Sequence, residues 1–167
     1  MLIVGIDGST NSTGIAIMQN GELMDYTLID LHKEKNAMKR IQNMLIRISE
    51  ILDGYKIDAV YMEKSVLKNN IDTVQKLANL AGGIMFYCAK NNIEFNHPLP
   101  PEWRKKIGIK QSSKIKRDVL KKEAIFAVKK EYGINVNDDV AEAVLIARSG
   151  FDLPKIVIND DDLWGEL

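Results

Sequence analysis

The chain opens on an apolar run, LIVGID at residues 2–7, suited to a central β-strand, and two further β-like stretches follow at Gly14 to Met18 and Glu22 to Leu28. Asn20-Gly21 between them is the strongest short hairpin signal, because both residues tolerate the positive φ of a two-residue turn. From Lys33 to about Leu52 the rhythm changes. Met38, Ile41, Leu45, Ile48 and Leu52 recur at three- and four-residue steps, which predicts an amphipathic helix ending near Gly54. Ile57 to Met62 reads as a buried strand with Glu63 at its C-terminal end, and a second helix is predicted from about Asp72 to Lys90. Gly82-Gly83 inside it costs roughly 1 kcal/mol per glycine relative to alanine, so close packing against the sheet or another subunit is the expected compensation. Ile93 to Phe95 makes a fifth short strand, and Pro98, Pro100 and Pro101 are expected to forbid regular structure after it. Further helices are predicted from about Ser113 to Tyr132 and from Asp138 to about Ser149. Beyond Phe151 the chain has no usable periodicity, which places a domain at 1–151 and an acidic tail at 152–167.

Three strands joined by tight connections and then helix, strand, helix, strand imply an α/β fold. Its sheet is mixed, with three antiparallel strands followed by two parallel ones, and right-handed crossovers cover both faces with helices. A chain of 167 residues, 46% of them hydrophobic, is long enough to bury one such core. No apolar run approaches the roughly 20 residues of a membrane span, and the N-terminus enters a strand without a basic leader, so the expectation is a cytoplasmic protein.

One cysteine, Cys88, excludes an internal disulfide and a cysteine-cluster zinc site, and the expected role of Cys88 is a small buried apolar residue. With His32 and His97 as the only histidines, a histidine-based nuclease is poorly supplied. The net charge of zero conceals a segregation of charge. Residues 101–130 carry 11 Lys/Arg against 3 Asp/Glu, and residues 131–167 carry 9 acidic against 2 basic. Such a division suits a protein in which one surface tracks phosphates and another holds cations.

Four carboxylates attract attention. Asp7 ends the first strand where the chain turns through GSTNSTG, and reads either as a turn cap or as a rigidly held ligand. Glu63 ends the strand AVYME and reads either as an ordinary strand-end charge or as a partner of Asp7 on an adjacent strand, where two like charges would need a cation. Asp139 and Glu142 stand three residues apart on a helix, as a solvated acidic first turn or as the rest of the same site. Helical phase at about 100° per residue puts Val140, Ala143, Val144 and Ala147 on the sheet side, Asp139 at its edge, and Asp138 roughly opposite, where capping the helix start is its expected use. Oxygen ligands without a histidine or cysteine cluster specify a hard ion, Mg²⁺ or Mn²⁺. Two such ions about 4 Å apart can activate a water and stabilise the leaving oxygen of a phosphodiester.

VGIDGSTNSTGIAI, then AVYMEK with KNN and a helix soon after, then DDVAEAVLIA, resemble in order the three acidic motifs of the RuvC-type Holliday junction resolvases. The resemblance runs to about Ser149, and PPEWRKKIGI is similar to the short form found among phage members. It implies a ribonuclease-H-like nuclease domain working as a homodimer on branched DNA, four-way junctions above all, and leaving 5′-phosphate and 3′-hydroxyl ends. By motif, Asp7 would bridge two metal ions, Glu63 would bind the one near the leaving group, and Asp139 with Glu142 would hold the one that activates water. Two positions depart from the family: its last acidic residue is usually Asp where this chain has Glu142, and the loop SVLKNN lacks the aromatic that bacterial members place at the junction centre.

Lys68, Asn69, Arg104, Lys105, Lys106, Lys110, Lys114, Lys116, Arg117 and Lys121 are the candidate DNA contacts, with Lys122 beside them, against the alternative of a solvated basic face. Trp103 could stack on a base or anchor the proline-rich turn. DGSTNSTG also resembles the phosphate loop of the actin-like ATPases and sugar kinases, but the chain lacks their second nucleotide-binding half. An RNA-processing nuclease with the same fold and metals is the other alternative, followed by a non-catalytic binder of branched DNA.

Overall fold

The computed structural model describes residues 1–65, 71–109 and 115–158. Strands β1 (Leu2–Asp7), β2 (Ser12–Gln19) and β3 (Glu22–Asp30) are followed by α1 (Ala37–Leu52), β4 (Ala59–Met62), α2 (Ile71–Lys90) and β5 (Glu94–Asn96), and then by α3 (Pro100–Ile107), α4 (Arg117–Tyr132) and α5 (Asp138–Arg148). The sheet order is β3-β2-β1-β4-β5. β1 pairs antiparallel with β2 and parallel with β4, β2 pairs antiparallel with β3, and β4 pairs parallel with β5. This is the mixed five-stranded sheet expected from the sequence.

The period of two along the strands separates two cores. Val4, Ile6, Ile15, Ile17, Val60 and Met62 pack with Met44, Ile48, Leu80 and Ile84 of α1 and α2. Ile3, Ala16, Met18 and Ala59 face the other way, onto α5 with α3 and α4 around it. α5 lies so close to the sheet that a Cβ on Gly5 would fall 2.1 Å from the Ala143 carbonyl oxygen, and one on Gly14 would fall 2.1 Å from that of Asp139. Two strand positions without side chains therefore let a helix backbone rest on β1 and β2.

Several sequence expectations are corrected. The prolines do not forbid a helix after β5: Pro100 and Pro101 occupy the first turn of α3, where a missing N–H breaks no intrahelical bond, and the Glu102 carboxylate accepts the Leu99 N–H at 2.7 Å. Asp138 does not cap α5, because Asn137 does so, its side chain accepting from Val140 N at 3.1 Å. Of the glycine pair in α2, Gly83 packs against Leu45 of α1, whereas Gly82 faces open space. The packed body also runs beyond residue 151. Ile156 is buried, its N–H donates to the Ile107 carbonyl at 2.8 Å, and the Arg148 guanidinium donates to the Pro154 carbonyl. Among the described residues no helix is long and apolar enough to cross a membrane.

Candidate metal centre and the cleft beside it

The ends of the two central strands place the first pair of carboxylates. Ile6 of β1 lies opposite Met62 of the parallel β4, so Asp7 and Glu63, each one residue further on, leave the sheet side by side at the same edge. The β1–β2 register pairs Asp7 with Gly14, and Gly14 is where the first turn of α5 touches the sheet. That contact delivers Asp139 to the same edge, and Glu142 follows one turn later. The sequence-predicted quartet of Asp7, Glu63, Asp139 and Glu142 is therefore brought together.

The electrostatics reflect the crowding. Burial pushes the Asp7 carboxyl well above the usual carboxylate range, and the negative charges of Glu142, Glu63 and Asp139 push it the same way. Burial also raises Glu63, with Glu142 adding to the rise, while Arg104 opposes it. Each of the other members has a neutral or cationic partner. Ser12 Oγ donates to Asp139 Oδ2 at 2.5 Å, Trp103 Nε1 donates to Glu63 Oε2 at 2.6 Å, and Arg104 Nη2 donates to Glu142 Oε1 at 2.5 Å. As these side chains stand, no three His, Cys, Asp or Glu among the described residues are arranged to hold an ion. The donor set is nonetheless oxygen throughout, which suits Mg²⁺ or Mn²⁺ and not zinc.

A polar cleft opens in front of Asp7 and Asp139. Ser9, Thr10, Asn11 and Ser12 of the β1–β2 turn form one side, Arg117 and Lys121 of α4 another, and Arg40 and Lys76 of α1 and α2 stand across from them. Thr13 Oγ1 braces the turn by donating to the Ser9 carbonyl and accepting the Ser9 N–H. Of the predicted DNA contacts, Arg117 and Lys121 line this cleft, and Lys116 is exposed beside them. Lys121 is paired with Asp138, so Asp138 serves as the partner of a cation at the cleft wall. Lys105 and Lys106 face another recess, with Asp152 and Lys155. Arg104 is not at the surface as expected. Its side chain is 8% exposed, held over the Trp103 ring and against the carboxylates. Lys68, Asn69, Lys110 and Lys114, residues 66–70 of the loop SVLKNN and the terminal acidic cluster lie outside the described residues.

Sequence reading missed Ser12, Trp103 and Arg104 as members of the centre and Arg40 and Lys76 as cleft residues. Ser12 stands in the GSTNSTG turn beside Asp7, which is a local signal. The others reach the site from α1, α2 and α3, and only the packing of those helices shows it.

The profile of the family described as crossover junction endodeoxyribonuclease RuvC matches residues 3–147. The crossover junction endodeoxyribonuclease RuvC of Campylobacter hominis is 30% identical over 154 residues, covering 88% of this chain and 93% of that protein. The one from Dictyoglomus turgidum is 25% identical, covering 89% and 95%. Among solved structures, Thermus thermophilus RuvC in complex with a Holliday junction substrate superposes with a TM-score of 0.72 at 16% identity, covering 89% of this chain and 92% of that one. The Fowlpox virus resolvase in complex with Holliday junction DNA gives 0.60 at 16% identity, covering 90% and 96%.

Proposed function

Because the chain belongs to the crossover junction endodeoxyribonuclease RuvC family, we propose that Asp7, Glu63, Asp139 and Glu142 are the metal-binding and catalytic residues with which it resolves four-way DNA junctions. Membership makes the chain a divalent-metal-dependent nuclease, and homodimers are general in the family. Two Mg²⁺ ions per site are the proposed complement, with Mn²⁺ able to substitute. The observation that carries the assignment is the convergence of four carboxylates from β1, β4 and α5 at one sheet edge, with Asp7 held among three like charges. Such crowding is relieved by a proton or by a cation, and a divalent ion at this edge would offset all four charges at once. Asp7, Glu63, Asp139 and Glu142 would hold the ion, and the chemistry it would supply is activation of a water and stabilisation of the leaving oxygen of a phosphodiester.

The protein's own residues do the positioning. Ser12 holds Asp139, and Trp103 holds Glu63, so both carboxylates are aimed before substrate arrives. Arg117 and Lys121, with Lys116 next to them, form a basic wall suited to the backbone phosphates of the strand that enters the cleft. Those contacts are indifferent to base sequence, and branch shape selects the substrate.

Resolution requires two cuts, so two copies must meet. We place the dimer contact on the outer surface of α1 and α2, where Ile46 and Phe86, 54% and 70% exposed, line an apolar recess with Leu45 and Gly83, and Met85 on α2 is 54% exposed. The test of function is incubation with labelled four-way junction, fork, linear duplex and structured RNA, in Mg²⁺ or in EDTA. Paired cuts in the junction, dependent on metal, are expected. Cleavage of RNA alone, or cleavage that survives EDTA, would overturn the reading.

A further inference from the structure

Arg104 is a permanent cation inside a site that must receive cations. Its guanidinium is buried 2.5 Å from Glu142 Oε1 and 3.7 Å from Glu63 Oε2. The placement is built. α3 starts on Pro100 and Pro101, its Trp103 is 1% exposed and bonds Glu63, and the guanidinium lies 4.3 Å from the centre of that indole. The division within the quartet is also lopsided. The two glutamates, with their longer reach, turn to α3, whereas Asp139 bonds Ser12 and Asp7 is left among its like-charged neighbours. Glu142 thus has two claimants: Arg104, which holds it, and any metal ion bound by Asp7 and Asp139.

We propose that Arg104 is the resident counter-cation of the metal-free centre, and that a divalent ion binds by taking Glu142 from it. The inference rests on the reading of the four carboxylates as a metal site. Its physical content is a competition. Arg104 stabilises the empty site by pairing with buried Glu142 and lying near half-buried Glu63, and for the same reason weakens metal binding, because the ion must displace one charge-assisted hydrogen bond and settle beside a positive group. Arg104 is then a positioning residue acting through Glu142, and its signature is an opposite effect on metal-free stability and on metal affinity.

Mn²⁺ titration of the full-length protein without DNA, up to the millimolar range, tests this, with free Mn²⁺ read by electron paramagnetic resonance and melting temperature recorded in parallel. Arg104→Gln should melt lower than wild type without metal, bind Mn²⁺ more tightly on the order of tenfold, and gain more on metal addition. Arg104→Lys keeps the charge but not the planar fork, and should bind with intermediate affinity. Asp7→Asn should lose the saturable site. If wild type and Asp7→Asn titrate alike, the metal-centre reading fails and this inference with it. If Asp7→Asn loses the site while Arg104→Gln binds no more tightly than wild type, the centre stands and the competition is overturned. Should Arg104→Gln fail to fold, Arg104→Lys decides: tighter than wild type supports displacement, and equal or weaker binding refutes it.

Discussion

The two helical layers of this sheet are attached by different means. α1 and α2 stand off on interleaved side chains, with Met44, Ile48, Leu80 and Ile84 filling the gap to Val4, Ile6 and Val60. α5 has no such spacer at Gly5 and Gly14, and its backbone meets the strands directly. Side-chain packing tolerates small shifts, because rotamers can readjust, whereas backbone resting on backbone does not. The proposed centre takes two of its four carboxylates, Asp139 and Glu142, from the second layer. Asp139 and Glu142 are set in relation to Asp7 and Glu63 by the backbone contact of α5 with Gly5 and Gly14. The first layer keeps its apolar exposure on the outside, where a second copy can cover it.

The sharpest way to separate the layers is at the centre itself. Asp7→Asn should lower junction cleavage by orders of magnitude while junction binding is kept or tightened, since a negative charge facing phosphate is removed. Gel-shift and cleavage assays on one preparation measure both, and near-normal cutting would remove Asp7 from the site.

A smaller effect contrasts glycines of the two layers. Gly14→Ala drives a methyl into the Asp139 carbonyl and should cost about 1–3 kcal/mol or more in denaturant unfolding, with cleavage falling further than stability explains. Gly82→Ala adds a methyl to open space in the middle of α2 and should stabilise by roughly 0.5–1 kcal/mol without changing cleavage. Equal effects at the two positions would dissolve the contrast.

At the outer face, Phe86→Ser should leave the unfolding midpoint of the monomer within about 0.5 kcal/mol but weaken the dimer at least roughly tenfold in sedimentation. Paired junction cuts should then become unpaired nicks. A dimer of unchanged strength would move the contact elsewhere.

The smallest effect concerns Asp138. Burial acts to raise its carboxyl, but the hydrogen bond and charge of Lys121 outweigh that and hold it below the usual range. A depressed acid stabilises the folded state above its unfolded value and loses that contribution as pH falls through the folded one. Asp138→Asn should therefore keep most activity and cost at most about 1 kcal/mol near neutral pH, since both side chains are about 30% exposed. The difference from wild type should vanish on acidification below the usual carboxylate range. A difference that grows in acid would contradict the pairing.

Much of this protein could be read from the chain alone, because the determinants were local. The apolar runs of β1 and β2, the Asn20-Gly21 turn with both residues at positive φ, the amphipathic α1 and the ordered acidic motifs are short-range patterns tied to backbone geometry. They specified the sheet, its strand sense and the four carboxylates. α3 escaped because three prolines within four residues signal a break unless two of them fall on a first helical turn, and only the surrounding packing selects that placement.

Arg104 was misplaced, and the bond of the anchored Trp103 to Glu63 missed, for a related reason. In the sequence they belong to a basic, proline-flanked segment, and nothing local distinguishes Arg104 from Lys105 and Lys106. Tertiary structure divides the three: α3 lies along the core with one side toward Glu63 and Glu142, so helical phase sends Arg104 inward and its two neighbours out. Which residues carry charge was written in the chain. Which of those charges face one another was decided by a helix backbone settling onto Gly5 and Gly14, contacts between residues more than a hundred positions apart that no local pattern encodes.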